Sequence, residues 1–265
     1  MEQHGMNFDK RILPFENYKY NRNPPSTIGL FDKMVCYFDG FNRKVVPLKI
    51  ALAYPIIYDV FMAPDSDVTF DLSIGVCPFT LAAGVFEGKY KVSDRVDRSC
   101  LVISNGSNTF PIIQGAVVDG KSGKSLKKYE VDIKLLRNVF TEFPDCKYLV
   151  PIGGELEKPV LGEDYYVGDE VLFRFERPPE NVHLKTLVYL IEYESSKEEQ
   201  KKSTVVVGRD ASPTEVTGYN VVLSGTYDYL VNSEHKLKQK FGFVTPVLWF
   251  AWKSFYPDAK LIFIP

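Results

Sequence analysis

The chain has 265 residues, 45% of them hydrophobic and 25% charged, with a formal net charge of −2. That balance excludes a disordered chain and gives no general field to draw in nucleic acid or an anionic membrane surface. The 19 Phe, 16 Tyr and 2 Trp favour sheet packing over a helical bundle and suit broad protein–protein surfaces.

Residues 1–29 are polar, rich in Asn and Pro, and end in "NRNPPS", the composition of an extended N-terminal arm. The arm lacks the apolar stretch of a secretory signal, so the expectation is a soluble intracellular protein in a reducing compartment. "MVCYFDGFNRKVVPL" then reads as a hairpin through Asp39-Gly40, and "KIALAYPIIYDVFM" as a short helix broken at Pro55. "VTFDLSIGV", "LAAGVFEG", "SCLVISNG" and "FPIIQGAVVDG" follow as short strands. In "EVDIKLLRNVFTEF", Leu135, Leu136, Val139, Phe140 and Phe143 share one helical face. Pro144-Asp145 ends that helix, and "KYLVPI" reads as an edge strand.

The second half uses the same order of elements. "EVLFRFERPP", "KTLVYLIEYE", "STVVVGRD" and "YNVVLSGTYDYLV" read as strands. A closing helix carries Leu248, Trp249, Trp252, Phe255 and Tyr256 before Pro257-Asp258. Aligned on the two Pro-Asp pairs, Phe143 meets Tyr256 and Lys147 meets Lys260. This predicts a β-rich α+β fold with an internal duplication. Residues 30–150 and 151–265 form similar lobes of mostly antiparallel strands, each capped by one amphipathic helix.

Chemistry is sparse. Gly115 to Ser122 spells G-x-x-x-x-G-K-S, but strand formers fill its interior and Gly123 falls where a helix must start, so it reads as a strand and turn. Cys36, Cys77, Cys100 and Cys146 show no metal-ligand spacing with His4, His183 or His235. No metal or cofactor is expected. Cys77, in "GVCPFT", is the best nucleophile candidate, but burial as a small apolar side chain is the ordinary fate of such a residue.

"YFDGFNRKVVPLKI", "GVCPFTLAAGVF", "VVDGKSGKSL" and above all "WFAWKSFYPDAKL" resemble the prokaryotic family known as domain of unknown function three-one-seven-nine. The resemblance implies two related halves, each ending in a helix and a Pro-Asp turn. Tyr54-Pro55 stands where the family pattern has a His-Glu pair, and Thr80 where it has a second cysteine. Tyr and Thr supply neither an imidazole base nor a soft thiolate. The expectation is a non-enzymatic structural or protein-interaction component with protein partners reached through aromatic surface and the arm, such as a minor part of a viral particle. The alternative is a small-molecule enzyme or binding protein with an inter-lobe cleft near Cys77, Thr80, Asp59 and Tyr54.

Overall fold

A computed structural model describes residues 2–3, 6, 8, 11–63, 67–113, 126–153, 157–173, 175, 183–185, 187–194, 202–208, 214–215, 222–223, 241–255 and 260–262. The first strands in chain order are β1 (Glu2–Gln3), β2 (Ile12–Leu13), β3 (Tyr18–Asn21), β4 (Lys33–Phe38) and β5 (Arg43–Pro47). Helix α1 (Leu48–Ala53) leads to β6 (Ile56–Met62), β7 (Thr69–Val76), β8 (Ala83–Glu87), β9 (Lys91–Asp97), β10 (Cys100–Ser104) and β11 (Thr109–Pro111). Next come β12 (Lys128–Tyr129), β13 (Val131–Leu135), helix α2 (Leu136–Glu142), β14 (Lys147–Pro151) and helix α3 (Glu163–Val167). The last are β15 (Leu187–Glu194), β16 (Lys202–Gly208), β17 (Thr214–Glu215), β18 (Val222–Leu223), β19 (Phe241–Leu248), the closing helix (Trp249–Phe255) and β20 (Lys260–Ile262).

The fold is β-rich α+β. The first sheet has the order β1-β9-β10-β11, the second β12-β8-β7-β6-β2 and the third β13-β4-β5-β14-β3. The fourth is β19-β15-β16-β20, and β17 pairs with β18 alone.

The third and fourth sheets share one plan: an antiparallel hairpin flanked on one side by a strand that runs into a helix, and on the other by the strand that leaves it, paired in parallel. In the third sheet Lys147 lies opposite Lys44, Lys44 opposite Tyr37, and Tyr37 opposite Val131. In the fourth, Lys260 lies opposite Val205, Val205 opposite Ile191, and Ile191 opposite Val244. The step along the chain from Lys147 to Lys260 equals the step from Val131 to Val244, so crossing four strands returns the same offset. A backbone contact repeats as well. The Arg137 N–H donates to the Leu30 carbonyl and the Phe250 N–H to the Leu184 carbonyl, each at 3.0 Å. The step from Leu30 to Leu184 likewise equals that from Tyr37 to Ile191.

Side chains alternate across the third sheet, as pleating requires. Met34, Cys36 and Val45 face α2, where they pack with Leu136, Val139, Cys146 and Tyr148. Val35, Tyr37 and Val46 face the main core, which also takes Ile57, Leu72, Val85, Phe86 and Ile103 from the first and second sheets. The closing helix enters this same core. Trp249, Phe250, Ala251, Trp252 and Phe255 are all buried, and the two indoles stack with ring centroids 4.5 Å apart. The boundary expected at residue 150 therefore separates strand systems and not cores.

Of the expected helical faces, Leu136 and Val139 are buried, Phe143 is half-buried and Phe140 is exposed. Pro144 and Asp145 occupy the centre of an exposed turn closed by the Cys146 N–H donating to the Phe143 carbonyl at 3.1 Å. Proline at its second position is preset for such a turn. Tyr256, Pro257 and Asp258 lie outside the described residues.

Three expectations are corrected. "KYLVPI" is not an edge strand, because β3 of the arm pairs with β14 on the side away from β5. "EVLFRFERPP" has no strand among its described residues, which run on from the short helix α3. The arm is not a free extension: β1 pairs with β9, β2 with β6 and β3 with β14. It closes one edge of each of the first three sheets, an arrangement that protects unpaired strand groups.

Candidate functional site

Two buried polar clusters hold the candidate residues. The first lies between the second and third sheets. Asp39 sits in the β4–β5 turn, where its Oδ1 accepts from the Phe41 N–H at 2.8 Å and the Asn42 N–H at 2.6 Å. Gly40 beside it has a φ of +93° and packs against Phe61, so the turn needs a residue without a side chain. Lys44, on β5, reaches Asp39 Oδ2 at 2.9 Å, Asp59 Oδ1 at 2.9 Å and Asp59 Oδ2 at 2.7 Å. The Tyr37 hydroxyl donates to Asp59 Oδ2 at 2.5 Å and also hydrogen-bonds the Tyr20 hydroxyl. The Lys44 ammonium lies 4.4 Å from the centre of the Tyr20 ring.

Asp59 is 1% exposed and Lys44 is 7% exposed. Burial alone would raise the Asp39 carboxyl, but the hydrogen bonds from Asn42, Lys44 and Phe41 hold it below the ordinary carboxylate range. Tyr37 is pushed well up by burial, by Tyr20 and by the Asp59 charge, so it stays a neutral donor. One cation faces two carboxylates, and the Tyr37 phenol donates to one of them, Asp59. This arrangement ties two sheets together.

The second cluster lies between the first and second sheets. Cys77 follows β7, and its Sγ accepts from the Leu101 N–H at 3.2 Å. Its thiol also lies 4.0 Å from the Ser99 carbonyl, so the sulfur sits against the backbone on both sides of Cys100, the first residue of β10. The Thr80 hydroxyl lies 3.9 Å from Cys100 Sγ. Cys77, Thr80 and Cys100 are each fully buried. Burial pushes both thiols up. At Cys77, hydrogen bonds from Cys100, Thr80, Leu101 and Phe79 outweigh it and lower the thiol; at Cys100 the neighbouring sulfur adds to it. The Leu101 N–H is a donor suited to a thiolate at Cys77.

The structure brings Cys77 and Thr80 together but not Asp59. On the β6–β7 ladder Asp59 faces Leu72, five residues before Cys77, a separation of about 17 Å. Tyr54 stands nearer, where the Val76 N–H donates to the Pro55 carbonyl, but its hydroxyl accepts from the Glu157 N–H at 3.2 Å. Lys44 and Cys100 complete the two clusters, and sequence reasoning named neither as a partner. Lys44 had a signal, as a lone cation at an inward position of the strand "RKVVP". Cys100 had none beyond its apolar neighbours. Residues 115–122, the phosphate-loop spelling, lie outside the described residues.

No group of His, Cys, Asp and Glu among the described residues is arranged to hold a metal ion. No helix among them is long and apolar enough to cross a membrane. No protein family, curated protein or solved structure matches the chain.

Proposed function

We propose that the chain is a non-enzymatic structural or protein-interaction component whose two sheet-and-helix units arose by internal duplication. The duplication draws its support from the shared strand order and the repeated chain offset between the third and fourth sheets. The resemblance to the family of unknown function, with its two related halves, belongs to the same proposal.

One observation carries the functional reading: the groups suited to chemistry are buried and bonded to one another, while large aromatics stand outside. Phe31 and Phe41 are each 72% exposed, with Phe38 and Phe140 also exposed. Arg137 lies over the Phe31 ring at 5.3 Å and Arg43 over the Phe38 ring at 5.8 Å. Aromatic and Arg side chains are the types that anchor protein interfaces. The described part of the arm spends its hydrogen bonds on its own chain, so the partner surface is assigned to these aromatics. A large assembly such as a viral particle is the proposed setting. The alternative of a small-molecule site near Cys77 has less support, because no face of that thiol meets solvent.

Sedimentation of the purified chain, alone and as Phe31→Ser and Phe41→Ser variants, tests the reading. Concentration-dependent association that both changes weaken is expected. Fast maleimide labelling of Cys77 in the folded protein, abolishing a measurable turnover, overturns it.

A further inference from the structure

Two pairs of cysteines meet in this fold, and they differ in a way that bears on oxidation. Cys36 and Cys146 share the small core under α2, where burial raises both thiols. The Cys77 sulfur instead lies against the backbone on both sides of Cys100, 3.2 Å from the Leu101 nitrogen and 4.0 Å from the Ser99 carbonyl, and the Thr80 hydroxyl lies 3.9 Å from Cys100 Sγ. Donors reach Cys146 as well, from the Tyr148 hydroxyl and the backbone, but burial outweighs them there, and only the second pair joins two different sheets.

The loops that carry this pair hold unusual backbone. Leu81 has a φ of +55°, and in the two-residue turn between β9 and β10 Arg98 and Ser99 have φ of +47° and +66°. Hairpin turns of that hand favour Asn and Gly at these places, so Arg-Ser is strained there. External contacts hold the turn. The Arg98 guanidinium donates to Asp97 at 2.9 Å and to the Ser254 carbonyl at 3.5 Å, and lies 4.1 Å from the centre of the Phe255 ring. The Ser99 hydroxyl donates to the Phe173 carbonyl at 3.2 Å. The strained turn ends at Cys100, the first residue of β10.

We propose that Cys77 and Cys100 form a dithiol–disulfide couple, oxidised by a peroxide, that clamps the first sheet to the second. The Cys77 thiolate attacks one peroxide oxygen, the O–O bond breaks, and the departing hydroxide takes a proton to become water. Cys100 sulfur then attacks the Cys77 sulfenic acid. The S–O bond breaks, and the leaving hydroxide takes the Cys100 proton as a second water. Two thiols lose two electrons and one peroxide gains them; a small dithiol reverses the change. This step is independent of the interaction reading above.

The test is hydrogen peroxide added at low molar excess to the folded full-length chain, followed by intact mass and peptide mapping. The expected result is loss of two hydrogens, a cross-link joining the Cys77 and Cys100 peptides, reversal by dithiothreitol, and a thermal midpoint higher by several degrees. Cys100→Ser is expected to stop at a Cys77 sulfenic acid that dimedone traps, an adduct that burial alone does not produce. A Cys36–Cys146 bridge formed first overturns the proposal. So do thiols that react only after denaturation, which wild-type protein reports without any variant.

Discussion

The Lys44 ammonium lies 2.7 Å from Asp59 Oδ2, joining two sheets through a pair that solvent scarcely reaches. Removing one partner of such a pair leaves the other charge buried and uncompensated. Lys44→Met is therefore expected to cost about 3–5 kcal/mol in urea unfolding, and adding Asp59→Asn should recover part of that loss. A double variant no better than the single would show that the charges do not act as a unit.

Asp39 gives the same cluster a pH dependence. Its folded carboxyl is held below the ordinary value, so its contribution is complete above about pH 4, the unfolded value, and fades as pH falls through the lowered one. Asp39→Asn should melt below wild type at pH 6, and the gap should narrow towards pH 3. Thermal unfolding at both pH values measures this; a constant gap would deny the linkage.

Trp249 and Trp252 are the chain's two tryptophans, stacked and buried in the main core. Native fluorescence is expected to be blue-shifted, moving to the red in one step with unfolding. Trp252→Ala should cost about 3–5 kcal/mol through lost burial and a residual cavity. A solvent-like native emission maximum would contradict this packing.

The surface aromatics should behave oppositely. Phe31→Ser and Phe41→Ser are expected to change stability by no more than about 0.5 kcal/mol, because both rings are mostly in solvent. A large loss in urea unfolding would place them in the packing of the monomer.

If the two sheet units are copies, their equivalent amides should be protected alike. The Arg137 and Phe250 N–H groups, each bonded to the carbonyl of a leucine ahead of its hairpin, should exchange slowly and to similar extents. Hydrogen exchange read by mass spectrometry tests it; rapid exchange at one helix alone would mark the likeness as formal.

Much of the fold was legible because local signals agreed with the tertiary outcome. Asp39-Gly40 turns the β4–β5 hairpin, and Pro55 ends α1 just before β6. The helical spacing found Leu136 and Val139, but Phe140 shares it and faces solvent, because the helix is too short to bury a wide stripe. What stayed hidden were the partnerships. Tyr18–Asn21 is polar and lies between an Asn-Pro run and a short 3-10 turn, so nothing local marks it as the strand that covers β14. "EVLFRFERPP" alternates like a strand, yet its described residues pair with none; Phe173 and Phe175 instead plug the core beside Phe79 and Phe250. At the candidate site, Cys77 was named from the stretch "GVCPFT". Its partner Cys100 comes only after β8 and β9 and in a different sheet, where no spacing rule reaches.

Three sheets borrow a margin from the stretch that ends at Asn21, and this sets an order of assembly. During synthesis β3 leaves the ribosome long before β14 exists, so the start of the chain must wait while all the strands between them are added. Such distant pairings form late and slowly. Until then the nascent molecule carries bare sheet margins. A shortened form lacking that stretch would keep them for life and should gather into aggregates that the full chain escapes.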